Sequence, residues 1–117
     1  MHEGSIAQSI VESLYDIEKE NNLSSITRVK LRIGIMSGVM VDALLFALDA
    51  LRNEEEIIKD TVFEIEKVDV KAHCVVCSKD YFYNEDDELM LVCKECGMPL
   101  DIIEGKEMEI KEVEGEQ

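Results

Sequence analysis

Residues 26–55 read ITRVKLRIGIMSGVMVDALLFALDALRNEE, and the change of period inside this stretch decides the fold class. Val29, Leu31, Ile33 and Ile35 alternate with Lys30, Arg32 and Gly34. A period of two places the apolar side chains on one face of a half-buried strand. Met36-Ser37-Gly38 supplies a turn, after which Val41, Leu44, Leu45, Leu48 and Leu51 recur at helical spacing. Ala43, Ala47 and Ala50 give that helix a second, smooth face for close packing, and Asp42 in its first turn complements the helix dipole. As the most apolar helix of the chain, it is the expected core element. A strand that feeds such a helix requires a layered arrangement of α on β.

Working outward, Ile6, Ile10, Leu14 and Ile17 predict an amino-terminal helix, with Ala7 and Val11 widening its stripe. Ser5 and Gln8 have the spacing of a capping box, which would leave residues 1–4 outside the helix, and Asn21 and Asn22 suit its end. Beyond the central stretch, Phe63 and Ile65 alternate with Glu64 and Glu66 as a second strand. Short strands are expected at 80–84 and 89–92, and Met108, Ile110 and Val113 form a last, near-alternating one. The acidic end, EVEGEQ at 112–117, is expected to fray. The predicted fold is α+β, an α/β sandwich of two helices on a small, roughly three-stranded sheet. Residues 1–70 plus 104–117 would form it, and a cysteine lobe at 71–103 would be inserted between its last two strands.

Of the 117 residues, 46% are hydrophobic, enough for a core and against wholesale disorder. With 27 acidic and 12 basic residues the formal net charge is -15. That charge repels nucleic-acid phosphates and anionic membrane surfaces, and it tolerates cations or a basic protein partner. No run approaches the roughly 18–20 apolar residues that span a bilayer, and the amino end has no export-signal pattern. A cytoplasmic location is expected, where thiols stay reduced and four cysteines favour a metal over disulfides.

Those cysteines are Cys74, Cys77, Cys93 and Cys96, a C-x2-C-x15-C-x2-C pattern. A two-residue spacer turns two thiolates onto one ion, and two such knuckles complete a tetrahedron of soft ligands. Gly97 behind the second pair permits a tight turn with backbone amides aimed at sulfur, and Ser78 takes that place behind the first. Zinc in a closed, structural site is the favoured reading. Iron in a rubredoxin-like carrier has the same ligand set, but the segment is poor in aromatic residues to surround a redox centre. A zinc-ribbon-like lobe of this size would draw much of its stability from the ion. His73 reads as a surface histidine at a strand end, because four thiolates already saturate the site.

The other candidate is the chain end, Met1-His2-Glu3. A terminal amine with a pKa near 8, the His2 amide and imidazole, and Glu3 put several donors within one chelate. Amide coordination favours Cu(II) or Ni(II) in a square-planar field. On these residues alone the stretch is either such a site or a frayed tip. The acidic runs Glu54–Glu56 and Asp86–Glu88 read as solvated faces, and Met36, Met40, Met90 and Met98 as fillers of core gaps. No Gly-rich phosphate loop and no nucleophile arrangement argues for an enzyme.

Taken together, MHE and Ser5 at the start, IGIMSGVMVDALLFAL at 33–48, the two knuckles, and GKEMEIKEVE at 105–114 resemble the HypA/HybF family of hydrogenase nickel-incorporation proteins over essentially the whole chain. The resemblance implies a nickel metallochaperone, not an enzyme, for maturation of NiFe-hydrogenase. It implies work with a HypB-type nickel-insertion GTPase, delivery to the hydrogenase large-subunit precursor, and in some organisms service to urease. Carried over by position, Met1 would give its amine to transported nickel and His2 its amide and imidazole. Glu3 would add its amide or orient the site. Cys74, Cys77, Cys93 and Cys96 would hold structural zinc. The chain departs from the family pattern at Gly4, where a bulky residue is usual, and at Val41, where proline is common. A monomer or weak homodimer is expected. The alternative is a zinc-ribbon interaction adaptor with no transported metal.

Overall fold

The central strand, β1 (Ser25–Gly34), sets the architecture. In the computed structural model, which describes residues 2–117, it follows α1 (Glu3–Asn21) and leads into α2 (Val41–Leu51) and β2 (Val62–Val68). A single 3-10 turn, Glu56–Ile58, lies between α2 and β2. Then come β3 (Val70–Cys74), β4 (Lys79–Tyr83), β5 (Asp101–Glu104) and β6 (Met108–Glu116). Two three-stranded sheets result, with orders β2-β1-β6 and β4-β3-β5. β1 runs parallel to β2 across the α2 crossover and antiparallel to the returning β6. The predicted α+β class and three-stranded sheet under two helices are therefore observed, with a small second sheet carrying the cysteines. Among the described residues no helix is long and apolar enough to cross a membrane.

Two irregularities explain where the alternation slips. Ile26 and Val29 are both buried although three residues apart, and the β1–β6 register skips Thr27 between the pairs Ile26–Gly115 and Arg28–Glu114. Ile110 and Val113 likewise both pack on the core, across the step from Leu31–Ile110 to Lys30–Glu112. Each extra residue is a bulge that returns the following side chain to the apolar face. The opposite face is an ion-pair lattice in which Arg28 meets Glu64, Glu112 and Glu114, and Arg32 meets Glu66 and Glu109.

The helices contribute unequally to the core. α1 buries Ala7, Ile10, Val11 and Leu14, whereas α2 buries only Leu44 and Leu48. The apolar composition of α2 overstates its place in the core. One row of it faces inward, and Phe46 on the outside is 77% exposed. Composition reports how apolar a helix is, not how much of its circumference finds a partner.

Four further expectations are corrected. The first helix starts at Glu3, not after a Ser5 cap, because the Ser5 and Ile6 amides both donate to the His2 carbonyl at 3.1 Å. Glu3 stabilises that extra turn: its carboxylate suits the helix N-terminus and accepts the Met40 amide at 3.0 Å. Residues 89–92 form no strand and make only a single bridge, Val92 to Pro99, since β5, which the sequence did not announce, takes the place beside β3. The carboxyl end is not frayed. β6 runs to Glu116, whose carbonyl accepts the Ser24 amide at 2.6 Å, and at Gly115 an added Cβ would lie 2.5 Å from the Ser25 carbonyl oxygen. Met40, Met90 and Met98 are exposed, and only Met36 fills a gap, against the second core.

The two sheets meet at a close backbone crossing. The Gly34 amide donates to the Glu107 carbonyl at 2.8 Å, and the Met36 amide to the Gly105 carbonyl at 2.7 Å. A Cβ on Gly34 would fall 2.0 Å from the Gly105 oxygen, and Gly105 itself adopts φ 121° against Val70. Ile35 and Met36 pass through this crossing to pack on the cysteine-bearing core.

Candidate metal centres

The first centre is built by two turns of the same kind. Ser78 behind Cys77 and Gly97 behind Cys96 both have positive φ, 52° and 75°, so each chain reverses just past its pair of sulfurs. The Gly97 amide donates to the Cys93 carbonyl at 2.8 Å and the Cys77 amide to Cys74 Sγ at 3.4 Å. The four Sγ atoms all lie within 4.8 Å of one another, with Cys74 to Cys96 at 3.5 Å and Cys77 to Cys93 at 3.9 Å. For zinc with Zn–S bonds of about 2.3 Å, a tetrahedral edge is about 3.8 Å, so the arrangement fits a four-thiolate site. Cys74 and Cys93 are buried, Cys77 is half-buried and Cys96 exposed.

The electrostatics prepare one sulfur for charge. A hydrogen bond from the Tyr81 hydroxyl, 3.3 Å from Cys93 Sγ, with help from the Cys96 and Glu95 amides, draws the Cys93 pKa down to about 6. Crowding has the opposite effect on Cys77, which its contact with Cys96 pushes up to about 12. Four thiolates repel one another, and a dication in their midst reverses that penalty and releases their protons. Tyr81 also accepts the Lys94 amide at 3.2 Å, which ties β4 to the second knuckle. Sequence reasoning missed Tyr81. The signal was available in the alternation of β4, which points Tyr81 and Tyr83 toward the same core as Cys74 and Cys93.

His73 stands apart from the sulfurs. Its Nδ1 lies 2.7 Å from Asp80 Oδ1, across the β3–β4 pairing. Among the described residues the four cysteines are the only group of three or more potential metal ligands that converge, so neither acidic run gathers into a site.

At the amino end the structure places two of the three expected residues, and Met1 lies outside the described residues. His2 is the N-cap of α1, exposed, with its carbonyl engaged by the first turn and no side-chain capping bond. Glu3 occupies the first helical position, and the Met40 amide, followed by its own amide, holds its carboxyl below the usual carboxylate range. Met40 is the N-cap of α2, so one carboxylate ties the starts of the two helices together. An added Cβ at Gly4 meets nothing within 4 Å among the described residues.

A two-helix, two-sheet α+β chain with a four-cysteine metal-binding site and an exposed histidine at a helix start is a small metal-handling protein. The comparisons narrow the class. The sequence model of the family described as "Hydrogenase/urease nickel incorporation, metallochaperone, hypA" matches residues 1–115, and the chain belongs to that family. It is 36% identical over 97% of its length to a "Hydrogenase maturation factor HypA" of Aquifex aeolicus, covering 96% of that protein. It is 34% identical to the Moorella thermoacetica protein of the same description, covering 99% of this chain and 100% of that one. The solution structure of the Ni metallochaperone HypA from Helicobacter pylori superposes with a TM-score of 0.73 at 28% identity, over 99% of this chain and 98% of that one.

Proposed function

We propose that the chain carries Ni(II) at its amino end and passes it on during maturation of NiFe-hydrogenase, working in the cytoplasm with a nickel-insertion GTPase and the large-subunit precursor. The observation that carries this reading is the position of His2: an exposed imidazole at the cap of a helix whose first turn is tethered, through Glu3, to the start of α2. The Met1 amine and the His2 amide and imidazole would be the donors. Glu3, with its carboxylate already engaged by Met40, serves as the orienting group. Nickel can displace the proton of such an amide and hold a square plane of nitrogens, whereas zinc has no preference for that geometry. An open site on a helix end suits cargo that must be released.

Cys74, Cys77, Cys93 and Cys96 would hold zinc with no open position, as a structural ion. Residues 1–70 plus 104–117 then act as the nickel-bearing unit and 71–103 as the zinc lobe. The chain itself performs no catalysis in this account, and GTP hydrolysis belongs to its partner. The test is a Ni(II) titration of tag-free, zinc-loaded protein beside the His2→Ala variant, followed by absorbance and calorimetry. One nickel per chain with a square-planar spectrum, lost in the variant, is the expected result. Equal, weak binding by both proteins would leave a zinc-ribbon adaptor as the better account.

A further inference from the structure

Apolar exposure is concentrated on the cysteine-bearing part of the chain. Of twelve exposed large hydrophobic residues among those described, nine lie between Val75 and Ile103. Four of them are consecutive, residues 89–92, and they are the run that forms no strand. Such a run left open on a folded surface marks an interaction site more often than chance. The run is nonetheless held in place. The Tyr83 hydroxyl donates to the Met90 carbonyl at 2.9 Å, and the Leu100 amide donates to the Leu91 carbonyl at 2.9 Å.

The pieces lie close together around the four sulfurs. The Val92–Pro99 bridge and the bond from the Cys93 amide to the Met98 carbonyl, 2.8 Å, set Met98 beside Val92. Convergence of the four sulfurs brings the loop holding Val75 and Val76, 67% and 61% exposed, against the Cys93–Cys96 loop. Directly before the apolar run stand Glu85, Asp86, Asp87 and Glu88, all exposed. Lys67 engages Glu85 at 2.8 Å, and Asp87 accepts the Asn84 amide at 2.8 Å. Asp86, whose charge also reaches Lys67, and Glu88 flank the apolar run, and neither forms a salt bridge with a described residue. A second copy laid on this face would bring acidic runs of two chains of net charge -15 together.

We infer that this crown, formed by the two knuckle loops and residues 89–92, is the docking surface for a protein partner whose apolar anchor is set among lysine or arginine side chains. The inference rests on the proposed role in that it takes the partner from the maturation machinery. Apolar contact at the knuckles supplies the affinity, and the acidic flank orients the encounter and rejects other acidic proteins, this chain's own copies included.

The experiment uses zinc-loaded full-length protein titrated in turn with the purified nickel-insertion GTPase and the purified large-subunit precursor of the same organism. Met90→Glu and Val76→Glu probe the apolar crown, and Asp86→Lys with Glu88→Lys probes the flank. Zinc and nickel content are measured on every variant to verify the fold. At least tenfold weaker binding of one partner by both apolar variants, and weaker binding again by the charge-reversed protein, is the expected result. Undiminished binding of both partners by all variants overturns the inference and leaves the carrier function standing. Self-association of the wild type that Met90→Glu abolishes also overturns it, by giving the crown to a second copy. Failure of the wild type to bind either partner overturns it as well; the nickel titration of that same protein then tells whether the carrier reading fails too.

Discussion

The two sheets solve the same problem with different means. The β2-β1-β6 sheet and its helices close over twelve buried apolar residues, among them Leu14, Leu31, Leu44 and Leu48, each with essentially no exposure. The β4-β3-β5 sheet closes over six, and two of these are cysteines of the metal site. Burying a leucine or isoleucine contributes roughly 1.5–3 kcal/mol, so the first region draws far more of its stability from apolar side chains than the second does. The second region has only a small core of its own, and an ion bound by its four converged sulfurs would take the place of the missing apolar contacts. The difference teaches how the proposed division of labour would work: an ion among the four sulfurs would be part of a fold, whereas cargo at the amino end would sit outside the larger core.

Removing zinc should produce the largest effect and break the symmetry between the regions. Chelation, or Cys93→Ser, is expected to abolish hydrogen-exchange protection across β3, β4 and β5 while α1 and β1 stay protected. Structural zinc sites contribute about 10–16 kcal/mol of apparent binding free energy, which this lobe has no other means to replace. Uniform loss of protection in both sheets would show that the first region depends on the second. The reciprocal experiment is Leu14→Ala, which creates a cavity under α1 and should lower stability to urea by about 3 kcal/mol without changing zinc content.

At the crossing between the sheets, Gly105→Ala meets both a φ of 121° and a Cβ position 2.9 Å from the Val70 side chain. A cost of roughly 2–3 kcal/mol is expected, detected as a drop in thermal midpoint with the zinc still bound. Smaller again is Tyr81→Phe, which removes the hydroxyl from Cys93 Sγ. Zinc affinity in a competition with a chromogenic chelator should fall about tenfold or more, as for other partners that orient metal ligands, with urea stability of the first sheet unchanged.

Acid should separate the regions last and most gently. Lys111 holds the Glu66 carboxyl, and Arg28 the Glu114 carboxyl, below their ordinary value of 4.5. A depressed folded pKa means stability that is fully present above pH 4.5 and lost as pH falls through the folded value. The ion-pair face of the first sheet should therefore weaken only below that point. Zinc release, driven by protonation of thiolates, is expected at a higher pH, and circular dichroism beside zinc release over a pH series would order the two events.

The parts of the fold that could be read in the sequence are those where period and burial coincide. Val29, Leu31 and Ile33 alternate because one face of β1 is covered, and the cysteine spacing is legible because it brings four sulfurs together. The helix start could not be read, since Ser5 offers a local cap and only the distant amide of Met40 favours Glu3 instead. The end of β6 was obscured for a similar reason: an acidic tail looks solvated until Ser25 at the start of β1, and Ser24 just before it, give it a partner. Residues 89–92 misled in the opposite direction. Their apolar run has β propensity, but β5 takes the edge of β3, and the run remains on the surface. Of the candidate residues, the four cysteines declared themselves by spacing, and His2 and Glu3 by their place beside the terminal amine. Tyr81 was legible only as one of the inward positions of β4, since no fixed spacing ties a hydroxyl to a sulfur.

The most direct test of the account is X-ray absorption at the nickel edge on zinc-loaded protein carrying one nickel per chain. The account predicts a first shell of nitrogen or oxygen donors in a square-planar field, no sulfur scattering, and an unchanged zinc edge with four sulfurs. Sulfur in the nickel shell, or zinc that loses sulfur as nickel enters, would place the cargo in the cysteine lobe and contradict the separation on which the account is built.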